Sequence, residues 1–253
     1  MEHILILGGT GEASALAAAV AERGLTATLS YAGRTANPRA QPIPVRVGGF
    51  GGVAGLERYV RDHRVTHLID ATHPFAATMS AHAVAAAQAA GVPLLALTRP
   101  AWQPLPGDRW HGVPDIAAAV TALSGPARRV MLALGRMHVE TFAAQPQHRY
   151  LLRFVDSPDV PPALPDHRLV VDRGPFTVEG DMRLMQEHGI DLIVCKNAGG
   201  TGAEAKIVAA RRLGLPVLMI DRPFIPARAT VHEIGEVMDW LGHSAHEPAH
   251  LGV

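Results

Sequence analysis

The first fourteen residues place the strongest constraint on the fold. Four apolar residues, Ile4–Leu7, run directly into the glycine-rich stretch GGTGEA, and an alanine-rich segment follows. A strand that ends in glycines and continues into a helix is typical of the first βα unit of a dinucleotide-binding fold. In that unit Gly9 allows a tight turn, Gly11 lets a diphosphate approach the backbone, and the small Ser14 lets the helix pack on the strand. The residues predicted to hold a dinucleotide here are Gly8, Gly9, Thr10, Gly11, Glu12 and Ala13.

The end of the second predicted strand indicates which dinucleotide is bound. An NAD site usually carries Asp or Glu about 20 residues after the glycines, where it accepts a hydrogen bond from the ribose 2′-hydroxyl. The chain has no carboxylate between Glu22 and Glu57, and it offers Ser30 and Arg34 instead. A hydroxyl and a guanidinium suit a 2′-phosphate, because Arg donates charge-assisted hydrogen bonds to it. The sequence therefore predicts NADP(H) rather than NAD(H) as the cofactor.

Two further strand ends are expected at the same edge of the sheet. The stretch VGGFGG follows the third predicted strand, and we expect Gly48, Gly49 and Phe50 to approach the adenosine part of the cofactor. The stretch DATHPFA follows the fourth, where a doubly wound fold places the nicotinamide, and it supplies Thr72. His73 is a candidate proton donor because the pKa of histidine is near neutral, although a histidine at such a position more often caps the following helix.

The whole chain alternates short apolar runs with alanine-rich helical stretches, which is typical of βαβ units around parallel sheets. Two pairs of segments recur in the same order. HILILGG from residue 3 parallels VMLALGR from residue 130, and GVPLLALTRPAW from residue 91 parallels GLPVLMIDRPFI from residue 214. We infer an internal duplication and predict an α/β protein of two Rossmann-like domains with parallel sheets and the active-site cleft between them.

The Pro- and Gly-rich stretch at 101–114 lacks periodicity and is interpreted as the connection between the domains. The expected boundaries are therefore 1–100 for the NADP-binding domain and 115–253 for the substrate-binding domain.

Composition excludes several classes of function. With 23 basic and 23 acidic residues the net charge is zero, so no overall field attracts nucleic acid or a membrane surface. The single cysteine, Cys195, lies in the apolar run LIVC and is expected to be buried and inert, and no metal site is predicted. No apolar run approaches the ~20 residues of a membrane span and no basic leader precedes the first strand, which predicts a cytoplasmic protein. Neither a Tyr-x-x-x-Lys pair nor a P-loop is present.

A second GGTG, at residues 199–202, follows another apolar strand. Only two of the 23 basic residues are lysines, and both, Lys196 and Lys206, flank this stretch. The carboxyl ends of parallel strands bind ligands, so Lys196 and its neighbours form a candidate site for carboxylates, with Arg136 at the same edge. The alternative is a helix cap beside a solvated lysine. The candidate substrate-binding residues in this half are Arg136, Lys196, Asn197, Gly200, Thr201 and Arg222.

Taken together, the motifs resemble those of the precorrin-6A reductase family of cobalamin biosynthesis over nearly the whole chain. The resemblance rests on ILILGGTGEA, DATHPFA, TRPAW and GPFT, and above all on LIVCKNAGGTGAEAKIVAARRLGLPVLMIDRP. It implies NADPH-dependent reduction of one double bond of the precorrin-6A macrocycle to give precorrin-6B. The acetate and propionate arms of that ring require local cations, for which Arg99, Arg136, Lys196 and Arg222 are candidates. His73, Lys196 or solvent would supply the proton.

Two other functions remain open at this stage. The reductase of the anaerobic route, cobalt-precorrin-6A reductase, shares the resemblance but acts on a ring that already contains cobalt. A non-catalytic NADP-binding sensor also lacks the Tyr-Lys pair, although it would not need a second anion-binding pocket. The sequence does not indicate an oligomeric state.

Overall fold

The chain folds into two α/β units, as a computed structural model shows for residues 2–32, 40–172 and 174–244. One unit comprises Met1–Arg99 with Phe224–Val253, and the other comprises Pro100–Pro223. Each contains a six-stranded sheet in which every described pair of neighbouring strands is parallel. The predicted fold class, two Rossmann-like domains with parallel sheets, is thereby confirmed.

The first unit contains six strands and four helices among its described residues. Its elements are β1 (Ile4–Leu7), α1 (Gly11–Glu22), β2 (Ala27–Tyr31), β3 (Val45–Val47), α2 (Gly52–Asp62), β4 (His67–Asp70), α3 (Ala77–Ala90), β5 (Leu94–Leu97), β12 (Ala229–Val231) and α7 (Ile234–Ser244). The described part of the second unit contains six strands, three α-helices and a 3₁₀ helix. These are β6 (Arg109–Val113), α4 (Ile116–Ala122), β7 (Arg129–Ala133), the 3₁₀ helix (Val139–Ala144), β8 (Arg149–Phe154), β9 (His167–Val171), α5 (Val178–Glu187), β10 (Leu192–Lys196), α6 (Ala205–Leu213) and β11 (Pro216–Ile220).

Helices cover both faces of the first sheet. Helices α1 and α7 bury one face with residues such as Leu16 and Val237, and α2 and α3 bury the other with residues such as Leu56 and Ala86. All four residues of β1 and of β4 are buried as a result. Because both faces are covered, the central strands are continuous apolar runs rather than alternating ones, which is why the sequence pattern identified them. Among the described residues, no helix is both long and apolar enough to cross a bilayer.

The two sheets have the same arrangement of strands. Their orders are β12-β5-β4-β1-β2-β3 and β6-β11-β10-β7-β8-β9, so β1 corresponds to β7 and β5 to β11. These are the strands that carry the repeated sequence segments. The helices that precede β5 and β11 both end in a left-handed glycine, Gly91 with φ of 68° and Gly214 with φ of 66°. The arrangement is the one that an internal duplication produces.

The two sheets exchange one edge strand each, so that β6 and β12 do not pair with the strands that precede them in the chain. Strand β6 follows β5 in the chain but pairs with β11, and β12 follows β11 but pairs with β5. The segment 101–114, interpreted above as a connection, therefore contains a strand of the second sheet. Its sequence conceals this because RWHGV lies at the edge of the sheet, where most side chains are exposed. The C-terminal β12 and α7 belong to the first unit, so the expected boundary of 115–253 differs from the observed division.

Candidate functional site

The first glycine loop, residues 8–11, connects β1 to α1 at the carboxyl edge of the first sheet. Thr10 is the N-cap of α1, and its Oγ1 accepts a hydrogen bond from the N–H of Ala13 at 3.1 Å. Gly9 has a φ of +118°, and a Cβ atom at Gly9 or Gly11 would meet nothing within 4 Å. The loop therefore presents bare backbone and open space at the amino end of a helix, where the N–H groups of the first turn lack intrahelical partners. Gly8 and Ala13 serve packing instead, because a Cβ at Gly8 would lie 2.6 Å from Leu29 Cδ1 and Ala13 is fully buried.

The loop that follows β4 lies beside the first glycine loop. The hydroxyl of Thr10 donates to the carbonyl of Ala71 at 2.8 Å and so joins the two loops. Asp70 orders the turn: its Oδ1 accepts from both the N–H and the Oγ1 of Thr72, at 3.1 and 2.6 Å. The other oxygen of the buried Asp70 faces the guanidinium of Arg228 at 3.3 Å. Sequence reasoning missed Arg228, which precedes β12 and reaches this loop because β12 pairs in the first sheet.

His73 is half-buried in the same loop. Its Nδ1 accepts a hydrogen bond from the N–H of Phe75 at 3.2 Å. A ring nitrogen that accepts carries no proton, so the neutral ring holds its proton on Nε2. The side chain therefore caps this turn through Nδ1, which is one of the two roles that the sequence left open; proton donation by His73 stays a prediction.

The ends of β2 and β3 form a compact polar cluster around Arg46, a residue that sequence reasoning did not select. Arg46 Nη1 donates to Ser30 Oγ at 2.9 Å and to the Gly48 carbonyl at 2.8 Å, and Nη2 donates to the Gly49 carbonyl at 3.2 Å. The guanidinium carbon lies 3.8 Å from the ring centroid of Phe50. The structure therefore brings together Ser30, Gly48, Gly49 and Phe50. The other residue predicted at this site, Arg34, lies outside the described residues.

Arg99 contacts Glu12 in the first turn of α1. The Arg99 Nε and the Glu12 Oε1 lie 3.3 Å apart, and the Arg99 side chain is 15 % exposed. This places a cation next to the only acidic residue in the first turn of α1. The contact offsets the charge of the carboxylate beside the first glycine loop, and substrate binding by Arg99 stays a prediction.

In the second unit, the predicted site residue Asn197 holds the chain after the first Arg-Pro. Its Oδ1 accepts from the N–H of Trp102 at 2.8 Å, and its Nδ2 donates to the carbonyl of Trp102 at 3.0 Å. The Trp102 indole N–H donates to the carbonyl of Gly200 at 2.9 Å. Trp102 therefore contacts the second glycine loop, residues 199–202, at Gly200 and the segment before it at Asn197.

Arg222 and Gly199 complete this attachment. Arg222 donates from Nε to the Asn197 carbonyl at 3.0 Å and from Nη2 to the Ala198 carbonyl at 3.1 Å. Gly199 has a φ of +70°, and a Cβ there would lie 2.0 Å from the carbonyl oxygen of Pro100. These contacts hold the segment that leads into the second glycine loop, and substrate binding by Arg222 stays a prediction.

The two lysines differ sharply in environment. Lys206 is 5 % exposed; its Nζ donates to the Ala203 carbonyl at 2.6 Å and lies 4.8 Å from the ring centroid of Trp102. Lys196 ends β10 and is half-buried, while Arg136 and Thr201 are exposed. Cys195 is fully buried, as predicted, and burial raises the pKa of its thiol to about 11.

Known proteins of a single family match this chain over nearly its full length. Residues 3–242 match the family model described as Precorrin-6x reductase CbiJ/CobK. The chain is 56 % identical to the precorrin-6A reductase of Rhodobacter capsulatus, with 98 % of this chain and 99 % of that protein covered. It is 29 % identical to the cobalt-precorrin-6A reductase of Priestia megaterium, with 94 % and 97 % covered. A solved structure of CobK precorrin-6A reductase superposes with a TM-score of 0.93 at 55 % identity, covering 99 % of this chain and 100 % of that chain.

Proposed function

The chain belongs to the precorrin-6x reductase family, and we propose that it reduces one double bond of precorrin-6A in cobalamin biosynthesis, with NADPH as the reductant. The observation that carries this proposal is identity above one half, over nearly the full length of both chains, to a precorrin-6A reductase. The cobalt-bearing substrate is less favoured, because identity to the cobalt-precorrin-6A reductase is about half as high, at 29 %. A non-catalytic sensor is disfavoured by the same family membership.

The described residues of the first unit fit a nicotinamide dinucleotide phosphate. The open backbone at Gly9 and Gly11 and the amino end of α1 suit the diphosphate. Arg99 offsets the charge of Glu12, which would otherwise repel a phosphate at that position. The cluster of Ser30, Arg46 and Phe50 suits the adenosine end. When bound, NADPH supplies the hydride that the reduction requires.

The loop after β4 positions groups near the nicotinamide end. Asp70 fixes Thr72, and Thr10 fixes the carbonyl of Ala71, so this loop and the first glycine loop hold a constant geometry. Such preorganisation orients the ring against the hydride donor and limits the access of water. We propose that His73, through the proton on Nε2, or Lys196 delivers the proton to the second carbon of the double bond.

The carboxyl edge of the second sheet suits a large ring with carboxylate arms. Three apolar side chains there are unusually exposed: Met137 after β7, Val155 after β8 and Val171 at the end of β9 are 60 %, 55 % and 50 % exposed. Apolar side chains exposed at the ends of three strands of one sheet can contact an apolar ligand face. Arg136, Lys196 and Thr201 lie at the same edge and suit the carboxylate arms. Asn197, Gly200 and Arg222 then serve substrate binding indirectly, by shaping the second glycine loop.

The proposal is tested by supplying both substrates to the purified protein. Precorrin-6A and cobalt-precorrin-6A are incubated separately with NADPH under anaerobic conditions, and the absorbance of the cofactor and of the ring is followed. We expect consumption of NADPH with precorrin-6A and a much lower kcat/KM with the cobalt form. The reverse preference would assign the chain to the anaerobic route. Binding of NADPH without consumption on either substrate would favour the sensor.

A further inference from the structure

We propose that Arg46 reads the 2′-phosphate of NADP(H) and so determines the preference of this protein for the phosphorylated cofactor; this inference rests on the cofactor proposed above. In doubly wound folds the ribose that carries the 2′ group is recognised at the carboxyl end of the second strand. Arg46 lies on β3 directly opposite Ser30, the penultimate residue of β2, and the two side chains are joined by the 2.9 Å hydrogen bond. The guanidinium therefore lies at the recognition position although it is carried by the neighbouring strand.

The hydrogen bonds of Arg46 orient its guanidinium without using up its donors. A guanidinium carries five N–H groups. The bonds to Ser30, Gly48 and Gly49 use two N–H groups of Nη1 and one of Nη2. Among the described residues, no hydrogen bond uses the second N–H of Nη2 or the N–H of Nε, and these two groups can donate to phosphate oxygens. Ser30 is 5 % exposed, so its hydroxyl acts mainly as an acceptor that positions the guanidinium.

Aromatic packing fixes the plane of the same guanidinium. Phe50 lies against it at 3.8 Å, and the Tyr59 ring centroid lies 5.2 Å from the guanidinium carbon. Phe50 and Tyr59 contact each other edge to face, with their centroids 5.2 Å apart. Gly55 permits this packing, because a Cβ there would lie 1.7 Å from the Phe50 carbonyl oxygen. A guanidinium held in one plane loses little conformational freedom when a phosphate binds, which strengthens binding.

The charge of this region discriminates between the two cofactors. Between Glu22 and Glu57 the chain has no carboxylate that could accept a hydrogen bond from an unmodified ribose 2′-hydroxyl. A phosphate adds a charge-assisted bond to Arg46 that the hydroxyl of NAD(H) cannot match. The preference thus results from a favourable contact with the phosphate of NADP(H) and from the lack of a carboxylate that would accept from the ribose hydroxyl of NAD(H).

The inference is tested with two ligands that differ only in the 2′-phosphate. Isothermal titration calorimetry measures the affinity of wild-type protein, Arg46→Gln and Arg46→Lys for adenosine 2′,5′-bisphosphate and for 5′-AMP. Arg46→Gln should weaken binding of the bisphosphate by about 10- to 100-fold and leave 5′-AMP nearly unchanged, since one charge-assisted contact is lost. Arg46→Lys should be intermediate, because it keeps the charge without the planar fork. Arg23→Gln is the matched control: it removes the same charge from the exposed C-cap of α1 and should change neither affinity.

The outcomes separate this inference from the proposal on which it rests. If Arg46→Gln keeps a native circular dichroism spectrum but loses equal affinity for both ligands, Arg46 does not recognise the 2′-phosphate. Unchanged affinity for the bisphosphate in that variant would overturn it as well. A wild-type protein that binds the two ligands equally would instead overturn the proposed preference for NADPH, and with it the role of Arg46.

Discussion

The side-chain amide of Asn197 makes two hydrogen bonds to the backbone of a single residue, Trp102: it accepts from the N–H and donates to the carbonyl. The two residues are 95 positions apart in the sequence. Trp102 follows the point at which the chain enters the second unit, and Asn197 begins the loop at the carboxyl end of β10. This pair therefore holds the segment that leads into the second glycine loop against the segment between β5 and β6, which carries the chain from the first sheet to the second.

Replacement of Asn197 by Ala should lower the free energy of unfolding by about 2–3 kcal/mol, because the N–H and carbonyl of Trp102 both lose their partner in a partly buried position. Urea unfolding followed by tryptophan fluorescence measures the change. The exposed Gln186 on α5 provides the matched control, and Gln186→Ala should alter the stability by less than about 0.5 kcal/mol. Equal stability of the Asn197 variant and wild type would contradict the anchoring role.

The glycines of the second glycine loop are predicted to be unequal. A Cβ at Gly199 would overlap the Pro100 carbonyl, and the positive φ adds strain, whereas a Cβ at Gly202 would meet nothing within 4 Å. Gly199→Ala should therefore lower the melting temperature by several degrees, with a loss of about 2 kcal/mol or more, and Gly202→Ala should leave it nearly unchanged. Differential scanning calorimetry of the two variants makes the comparison. Similar effects at both positions would refute the close approach.

Stability should fall at alkaline pH as Cys195 ionises. Burial raises the pKa of the folded thiol from 9.0 to about 11, so the unfolded chain loses its proton first as the pH rises. The contribution is complete below pH 9 and is lost progressively up to about pH 11, amounting to roughly 2–3 kcal/mol. Urea unfolding from pH 8 to pH 11 should show a shallower decline for Cys195→Ala than for wild type. Parallel declines would mean that the thiol is not buried in solution.

His73 is predicted to act as a proton donor, and one substitution separates that role from its role in the turn. In His73→Asn the amide oxygen can still accept from the N–H of Phe75, but no acidic proton remains. We expect kcat to fall by about 100-fold, at the lower end of the usual contribution of general acids, with KM for NADPH unchanged. Steady-state kinetics provide both values. An unchanged kcat would leave Lys196 or solvent as the donor, and Lys196→Met in the same assay distinguishes between these two.

The central strands and the fold class were predictable because their side chains are buried on both faces. β1 and most of β10 are apolar runs in the sequence, and the repeated segments coincide with strands at equivalent places in the two sheets. The edge strands β6 and β12 were not predicted. Exposed side chains break the pattern of β6, and β12 has three residues. Which sheet each of them joins depends on pairing between distant segments, which no local pattern specifies.

The candidate site was predictable at its glycines but not at its supporting side chains. Arg46 directly precedes the stretch VGGFGG, but its contact with Ser30 depends on the pairing of β2 with β3. Arg228 lies far from the motifs in sequence and reaches the site through the pairing of β5 with β12. Asn197 and Arg222 stand at strand ends, where polar residues often bind ligands, yet the structure shows them satisfying backbone groups. A polar residue at a strand end has the same appearance in a sequence whether its partner is a ligand or a carbonyl group.

The central claim, that this protein transfers hydride from NADPH to precorrin-6A, is tested most directly by an isotope label. Precorrin-6A is incubated anaerobically with the protein and NADPH that carries deuterium at C4 of the nicotinamide on the transferred side, and the ring is analysed by mass spectrometry. We expect one deuterium from the cofactor in each reduced ring, one hydrogen from solvent at the neighbouring carbon, and one NADPH oxidised per ring. Oxidation of NADPH without deuterium in the ring, whichever face of the nicotinamide carries the label, would contradict this claim.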